Sequence, residues 1–310
     1  MTKSQLVYEK NLNHGKIKVT IGICIRNEEK TIKRTMESII RQDFPHELME
    51  VIIVDDGSED NTLQVVLDFA REMHMNVRVF HSSWKGLGPA RNQVVTNARG
   101  DYIIWVDGGT VLPRDHVRKQ IEFMERHPNI GIAKARCAAL EEKNIVSILE
   151  DLQYRAYDFR YSGKVNSFVL GTCGATYRTR AIREIGGFDN SFKGSGEDFD
   201  VECRMREKGW LLYRTSAIFF REHLRTWKSI WNEGLKYGYG GCYTIRKYKW
   251  KVLKRLLLSI LDGLINAKTA YMLTRRKIAF LLIFHHAFKK LAWFFGFLKY
   301  HLECLTLRGN

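Results

Sequence analysis

Several features are missing from this sequence of 310 residues, and each absence narrows what it can be. Its six cysteines, at 24, 137, 173, 203, 242 and 304, include no Cys-x-x-Cys pair. That scatter suits neither a zinc site nor a disulfide framework, so reduced core thiols are expected. The first 18 residues are polar and hold no apolar run of the signal-peptide kind. No internal repeat and no low-complexity linker interrupts the chain. No Gly-x-Gly-x-x-Gly follows the first apolar run, "KVTIGICI" at 18–25, which argues against a nicotinamide-type dinucleotide fold. Acidic residues are scarce at one end: residues 221–310 hold 18 Lys and Arg against 4 Asp and Glu, whereas the first 220 hold 32 against 30.

Apolar residues make up 45% of the chain, enough for a packed core. The first two-thirds reads as an ordinary globular part. The basic, aromatic-rich remainder points to a polyanionic partner.

Four apolar runs alternate with three segments of helical spacing or helix-stop signals. "KVTIGICI" reads as a strand, and Ile32, Met36, Ile39 and Ile40 then recur at helical intervals. "EVIIVDD" is followed by "NTLQVVLDFAREM", "NVRVFHS" by "GPARNQVVTNARG", and "DYIIWVDGG" closes the series. Strand-helix alternation predicts a doubly wound, mostly parallel α/β sheet. Ligands of such sheets lie beyond the carboxyl ends of the strands. Asp55, Asp56 and Asp107 all fall at those ends. An acid there can also cap the next helix, a reading that fits one residue better than an adjacent pair. Beyond 113, helices are expected at 115–126 and 145–160 and strands at 131–139 and 211–220. A glycine-rich loop, "GSGEDFD", is expected to open a helix.

The ordered motifs "CIRNEE", "VDDGSED", "KGLGPARN", "WVDGGTVLP" and "GEDFDVECRMREKGW" resemble those of the family 2 inverting glycosyltransferases. The resemblance covers roughly 17–225. It implies a GT-A fold, with a nucleotide-binding half over about 17–113, an acceptor half over about 114–225, and a basic extension at 226–310. It implies a nucleotide-sugar donor, most often a UDP-sugar, and a glycan or lipid-linked acceptor. By the same resemblance Arg26, Glu28, Asp55, Asp56, Arg91 and Asp107 hold the donor. A ribose diol suits a carboxylate acceptor. Asp198 is the base that takes the acceptor hydroxyl's proton, with Glu197 beside it. Each has a plainer reading. Glu28 can be a charge at a helix N-terminus, as can Glu197, Asp198 and Asp200. Asp200 reads as helix surface, and Arg91 as a surface arginine.

One motif departs from the family pattern. Asp-x-Asp usually ends in a carboxylate that binds a divalent metal, and here it reads Asp107-Gly108-Gly109. A Mn²⁺ or Mg²⁺ site would rest on Asp107, with Thr110 or His223 compensating, and a lone His is as readily structural. A basic residue near 221 could neutralise the diphosphate instead. A catalytically inactive member acting as a scaffold is the alternative that Gly109 keeps open.

Residues 278–298, "IAFLLIFHHAFKKLAWFFGFL", are long enough to span a bilayer, but His285, His286, Lys289 and Lys290 sit mid-segment. Together with 252–265 they read as amphipathic helices in a membrane interface, with Trp293, Phe294 and Phe295 towards acyl chains. Packing as a helical hairpin is the other reading. The expected location is the cytoplasmic face of a membrane, with no nucleic-acid partner.

Overall fold

The computed structural model describes residues 4–12, 15–165, 170–192, 195–223, 226–249 and 261–306. The chain divides into two compact units. The first comprises 1–137, 161–190 and 201–221, and the second 138–160, 191–200 and 222–310. The division therefore does not fall as a single cut at 225. The second unit takes in two segments from the middle of the sequence.

The first unit is built on a sheet in the order β1-β4-β3-β2-β5-β8-β7-β9-β6. Its strands are β1 (Gln5–Lys10), β2 (Val19–Ile25), β3 (Met49–Asp56), β4 (Asn76–Ser82) and β5 (Tyr102–Val106), followed by β6 (Thr110–Val111), β7 (Ile130–Ala139), β8 (Ala175–Arg178) and β9 (Leu211–Arg221). The pairs β2–β3, β3–β4 and β2–β5 are parallel. The pairs β1–β4, β5–β8, β7–β8 and β6–β9 are antiparallel. The sheet is thus mixed, with a parallel centre. Every residue of β3 and β5 is buried, as expected of strands covered on both faces, and this explains their unbroken apolar runs. Strand β1 escapes a sequence reading because it is an exposed edge strand with no buried face to leave a period-two signature.

Helices α1 (Ile32–Ile40), α2 (Thr62–Glu72) and α3 (Leu87–Asn97) connect the parallel strands, and α4 (His116–Arg126) follows β6. The core joins Ile52, Val54, Val94, Trp105, Tyr177 and Phe188. At the amino ends of the strands, buried Glu50 accepts from Thr20 Oγ1 at 2.6 Å and pairs with Arg78 at 2.7 Å. Polar groups at that end tie the sheet together. The opposite ends carry the candidate site.

The second unit contains α5 (Ile145–Tyr161, but for its last residue), α8 (Trp227–Tyr248) and the helices Asp262–Thr274 and Leu282–Thr306. Two shorter helices lie between α5 and α8: α6 (Thr179–Glu184) in the first unit, and α7 (Glu197–Glu207), which begins in the second. Part of the predicted helix over 252–265 lies outside the described residues. Helix α8 starts with a capping box, Thr226 and Ser229 each accepting from the other's backbone N–H. It packs closely on the last helix because glycines face backbone. A Cβ at Gly238 would collide with Trp293 O, and one at Gly296 with Leu235 O.

Two of the residues that interrupt 278–298, His285 and Lys289, are accounted for here. Buried Glu150 on α5 lies 2.9 Å from both Lys289 Nζ and His285 Nε2. Burial alone would raise its carboxyl pKa. The Lys289 and His285 partners outweigh that and hold it far below the usual glutamate range. A depressed folded pKa stabilises fully above the ordinary glutamate value, and the stabilisation is lost progressively as pH falls from there through the folded pKa. Glu150→Ala leaves buried partners uncompensated, so thermal unfolding at pH 7 should show a loss of about 3–5 kcal/mol. The loss should shrink towards pH 3. An unchanged melting temperature at pH 7 would refute this role.

Candidate active site

The opening strands run β2, β3, β4 in one direction across the sheet. β5 then lies on the far side of β2. The order therefore reverses between β2 and β5, and the crevice beyond such a reversal is where open α/β sheets take ligands. The loops that leave β2 and β5 carry Arg26, Glu28 and Asp107, three of the residues singled out by sequence. They meet: a Cβ at Gly108 would stand 2.8 Å from Glu28 Cδ.

The loop after β2 is stitched to the loop after β3. Asn27 N donates to Ser58 Oγ at 3.0 Å, and Glu59 N to Asn27 Oδ1 at 2.8 Å. Glu28 N donates to Thr62 Oγ1 at 2.7 Å. These bonds fix the loop at 26–31, and α1 begins at Ile32, the first of the apolar residues at helical spacing. Asn27 takes a left-handed φ of 56°, a conformation asparagine tolerates. Arg26 is exposed, 3.1 Å from Glu59 Oε1, with its guanidinium 5.0 Å from the ring centre of exposed Trp84.

The adjacent acids do different jobs. Asp55 is fully buried. Its Oδ1 accepts from Ser58 N and Ser58 Oγ, and its Oδ2 lies 2.7 Å from His81 Nδ1. Asp55 therefore holds the turn from within. Asp56 accepts from Lys85 N and Gly86 N, both at 2.8 Å. Each donor takes one lone pair, so each oxygen keeps another for a ligand. Repulsion between the two carboxylates is relieved by these separate donor sets. A cleft of about 280 Å³ lined by Asp56, Lys85 and Asn92 opens beside it. Its volume lies at the lower edge of the range of small-molecule pockets.

Arg91 is buried, its guanidinium 5.4 Å from the ring centre of Phe188, so it is not a surface arginine. Glu28 is half-buried, and its hydroxyl partner is Thr31. Burial raises its carboxyl pKa, Thr31 opposes this, and Asp107 adds to it, while Arg221 pulls the other way.

At the turn after β5, Gly109 has φ +78°, where only glycine is unstrained. A Cβ there would stand 3.3 Å from Arg34 Nη2. The Thr110 hydroxyl is buried, 3.3 Å from Cys173 Sγ. Among the described residues, no group of three or more His, Cys, Asp or Glu is arranged to hold a metal ion. A cation about 4 Å from a guanidinium near a protein surface is repelled by roughly 4 kcal/mol per charge. At this turn Asp107 is the one carboxylate, and the Arg34 guanidinium stands beside position 109.

In the second unit, His223 is buried and stacked on Tyr154, ring centres 5.1 Å apart, with Nε2 3.7 Å from Asp151 Oδ1. Glu197 is buried in the first turn of α7. Asp198 is half-exposed, and its Oδ1 accepts from Phe199 N at 2.7 Å. Asp200 is not helix surface: it is fully buried, 2.6 Å from Lys247 Nζ and from Tyr248 Oη. Gly194 lies outside the described residues.

The sequence profile described as glycosyl transferase family 2 matches residues 20–186. The chain belongs to glycosyl transferase family 2. It is 20% identical over 249 residues to poly-beta-1,6-N-acetyl-D-glucosamine synthase of Staphylococcus epidermidis, spanning 78% of this chain and 59% of that one. It thus covers about three-fifths of that relative's length. Among solved structures it is similar to the mannosyltransferase PcManGT of Pyrobaculum calidifontis in complex with GDP-Man and Mn²⁺. That match has a TM-score of 0.65 at 16% identity, covering 93% of this chain and 90% of the other. Residues 1–349 of Staphylococcus aureus TarS, in complex with UDP-GlcNAc, match with a TM-score of 0.53 at 15% identity. Coverage there is 93% of this chain and 92% of TarS 1–349. The fold of this glycosyltransferase is accordingly of the GT-A type.

Proposed function

We propose that this glycosyltransferase moves a sugar, with inversion, from a UDP-sugar to a hydroxyl of a polysaccharide or lipid-linked acceptor. The observation that supports it most is the crevice at the strand-order reversal, where Glu28, Asp56 and Asp107 line the ends of β2, β3 and β5. Asp56 receives the nucleoside, and Asp107 the ribose. Arg91 lends a buried positive charge beneath the rim, and Asp55 keeps the turn in place. Relatives named as N-acetylglucosamine polymer synthases favour a UDP-linked amino sugar. Asp198 acts as general base, a role its motif and its half-exposed carboxylate support. Calorimetric titration of UDP, GDP, dTDP and CMP tests the donor class. Binding of UDP well above the others supports the reading, and equal failure of all four removes it.

The second unit rests on a membrane surface at the cytoplasmic face. With His285 and Lys289 turned to Glu150, Ile283, Phe284, Leu291, Phe294, Phe295 and Leu298 form an exposed apolar stripe on the last helix. Trp293 packs against Gly241 of α8 instead of joining that stripe. The segment Lys277–Glu303 is long and apolar enough to cross a bilayer, by length and composition alone. The surrounding excess of Lys and Arg favours the interface of an anionic leaflet, at about 1 kcal/mol per basic residue. Co-sedimentation should show binding to anionic vesicles and little to neutral ones. Replacing Phe294 and Phe295 by Ser should weaken it by about tenfold or more. Equal binding of the double variant would refute the assigned face.

A further inference from the structure

The turn that departs from the family pattern places arginine where that pattern places a metal ligand. Arg34 stands in the first turn of α1, directly after the loop that carries Glu28. Its Nη2 lies 3.3 Å from where a side chain at position 109 would begin. On the other side of the same turn, Arg221 ends β9 and is the cross-strand partner of Thr110. Burial raises the Glu28 carboxyl and Cys173 thiol pKa values, and the Arg221 charge opposes both without reversing them. Two elements thus bring guanidinium groups to Asp107–Thr110, while position 109 offers no carboxylate.

We propose that Arg34, assisted by Arg221, neutralises the diphosphate of the donor, so that donor binding in this protein needs no divalent cation. This rests on the nucleotide-sugar reading above. An arginine is charged at every working pH, and its planar fork donates two parallel hydrogen bonds to phosphate oxygens. In the transfer, the acceptor oxygen bonds to the anomeric carbon and its proton passes to Asp198. The electron pair of the breaking C–O bond stays on the nucleoside diphosphate. Fixed guanidinium groups beside that oxygen stabilise the charge that develops there. Gly109 fits this arrangement, because a carboxylate at that position would pair with Arg34 and cancel the charge offered to phosphate.

Calorimetry on the full chain tests it, with UDP and uridine as probes, each in EDTA and in Mn²⁺. The affinity for UDP should agree within about twofold between the two buffers. Arg34→Ala should weaken UDP by about tenfold or more and leave uridine unchanged, and Arg34→Lys should restore part of the loss. Gly109→Asp should weaken UDP in EDTA and make Mn²⁺ restore it. Tenfold tighter UDP binding in Mn²⁺ than in EDTA by the unaltered protein would overturn the proposal. So would an Arg34→Ala variant that loses UDP and uridine alike. If neither probe binds in either buffer, the donor reading itself fails, and the proposal with it.

Discussion

Asp198→Asn should lower sugar transfer by about 10²–10⁴-fold, the usual worth of a general base, and leave donor affinity unchanged. The substitution is clean. Asp198 is half-exposed, and its Oδ1 accepts from Phe199 N, a bond that an amide oxygen can still accept. The variant therefore keeps its local structure and loses only a proton acceptor. Asp200 provides the contrast two residues on. It is fully buried against Lys247 and Tyr248, so Asp200→Ala should lower the melting temperature as well as the rate. Transfer that survives in Asp198→Asn to within a few fold would place the base elsewhere.

Asp56→Ala should weaken nucleotide binding by about 10- to 100-fold, the scale of a charged hydrogen bond lost together with its local support. Both oxygens of Asp56 already accept backbone N–H groups, from Lys85 and Gly86. Removing them frees the loop entering α3 as well as the ligand contact. Asp56→Asn separates the two effects. Its amide oxygen keeps one loop bond and its NH2 cannot accept the other, so the loop should loosen less than in Asp56→Ala while the charge is lost. Calorimetry with UDP distinguishes them, and unchanged affinity in Asp56→Ala would remove Asp56 from the site.

The parallel centre of the sheet was legible because β2, β3 and β5 are buried on both faces and must be written as apolar runs. The acids that end those runs were legible for the same reason. What the sequence could not say is how each acid is spent. Asp55 and Asp56 are neighbours of one kind, yet Asp55 is sealed by Ser58 and His81, a residue 26 positions away. Asp200 reads as helix surface because Lys247 and Tyr248, its partners, lie almost 50 residues further on. Long-range pairing of this sort leaves no local period. Arg34 was missed for a related reason: within α1 it is an ordinary polar position, and only the approach of Gly109 gives it meaning. A clue was present in the missing carboxylate at 109, which raises the question of what charge stands there instead.

The most direct test of the account is release of nucleoside diphosphate from a panel of nucleotide-sugars, followed with the full chain on anionic vesicles. Steady consumption of one UDP-sugar, abolished by Asp198→Asn, is the predicted result. Nucleotide binding without turnover of any donor would contradict it and leave a nucleotide-binding scaffold in place of an enzyme.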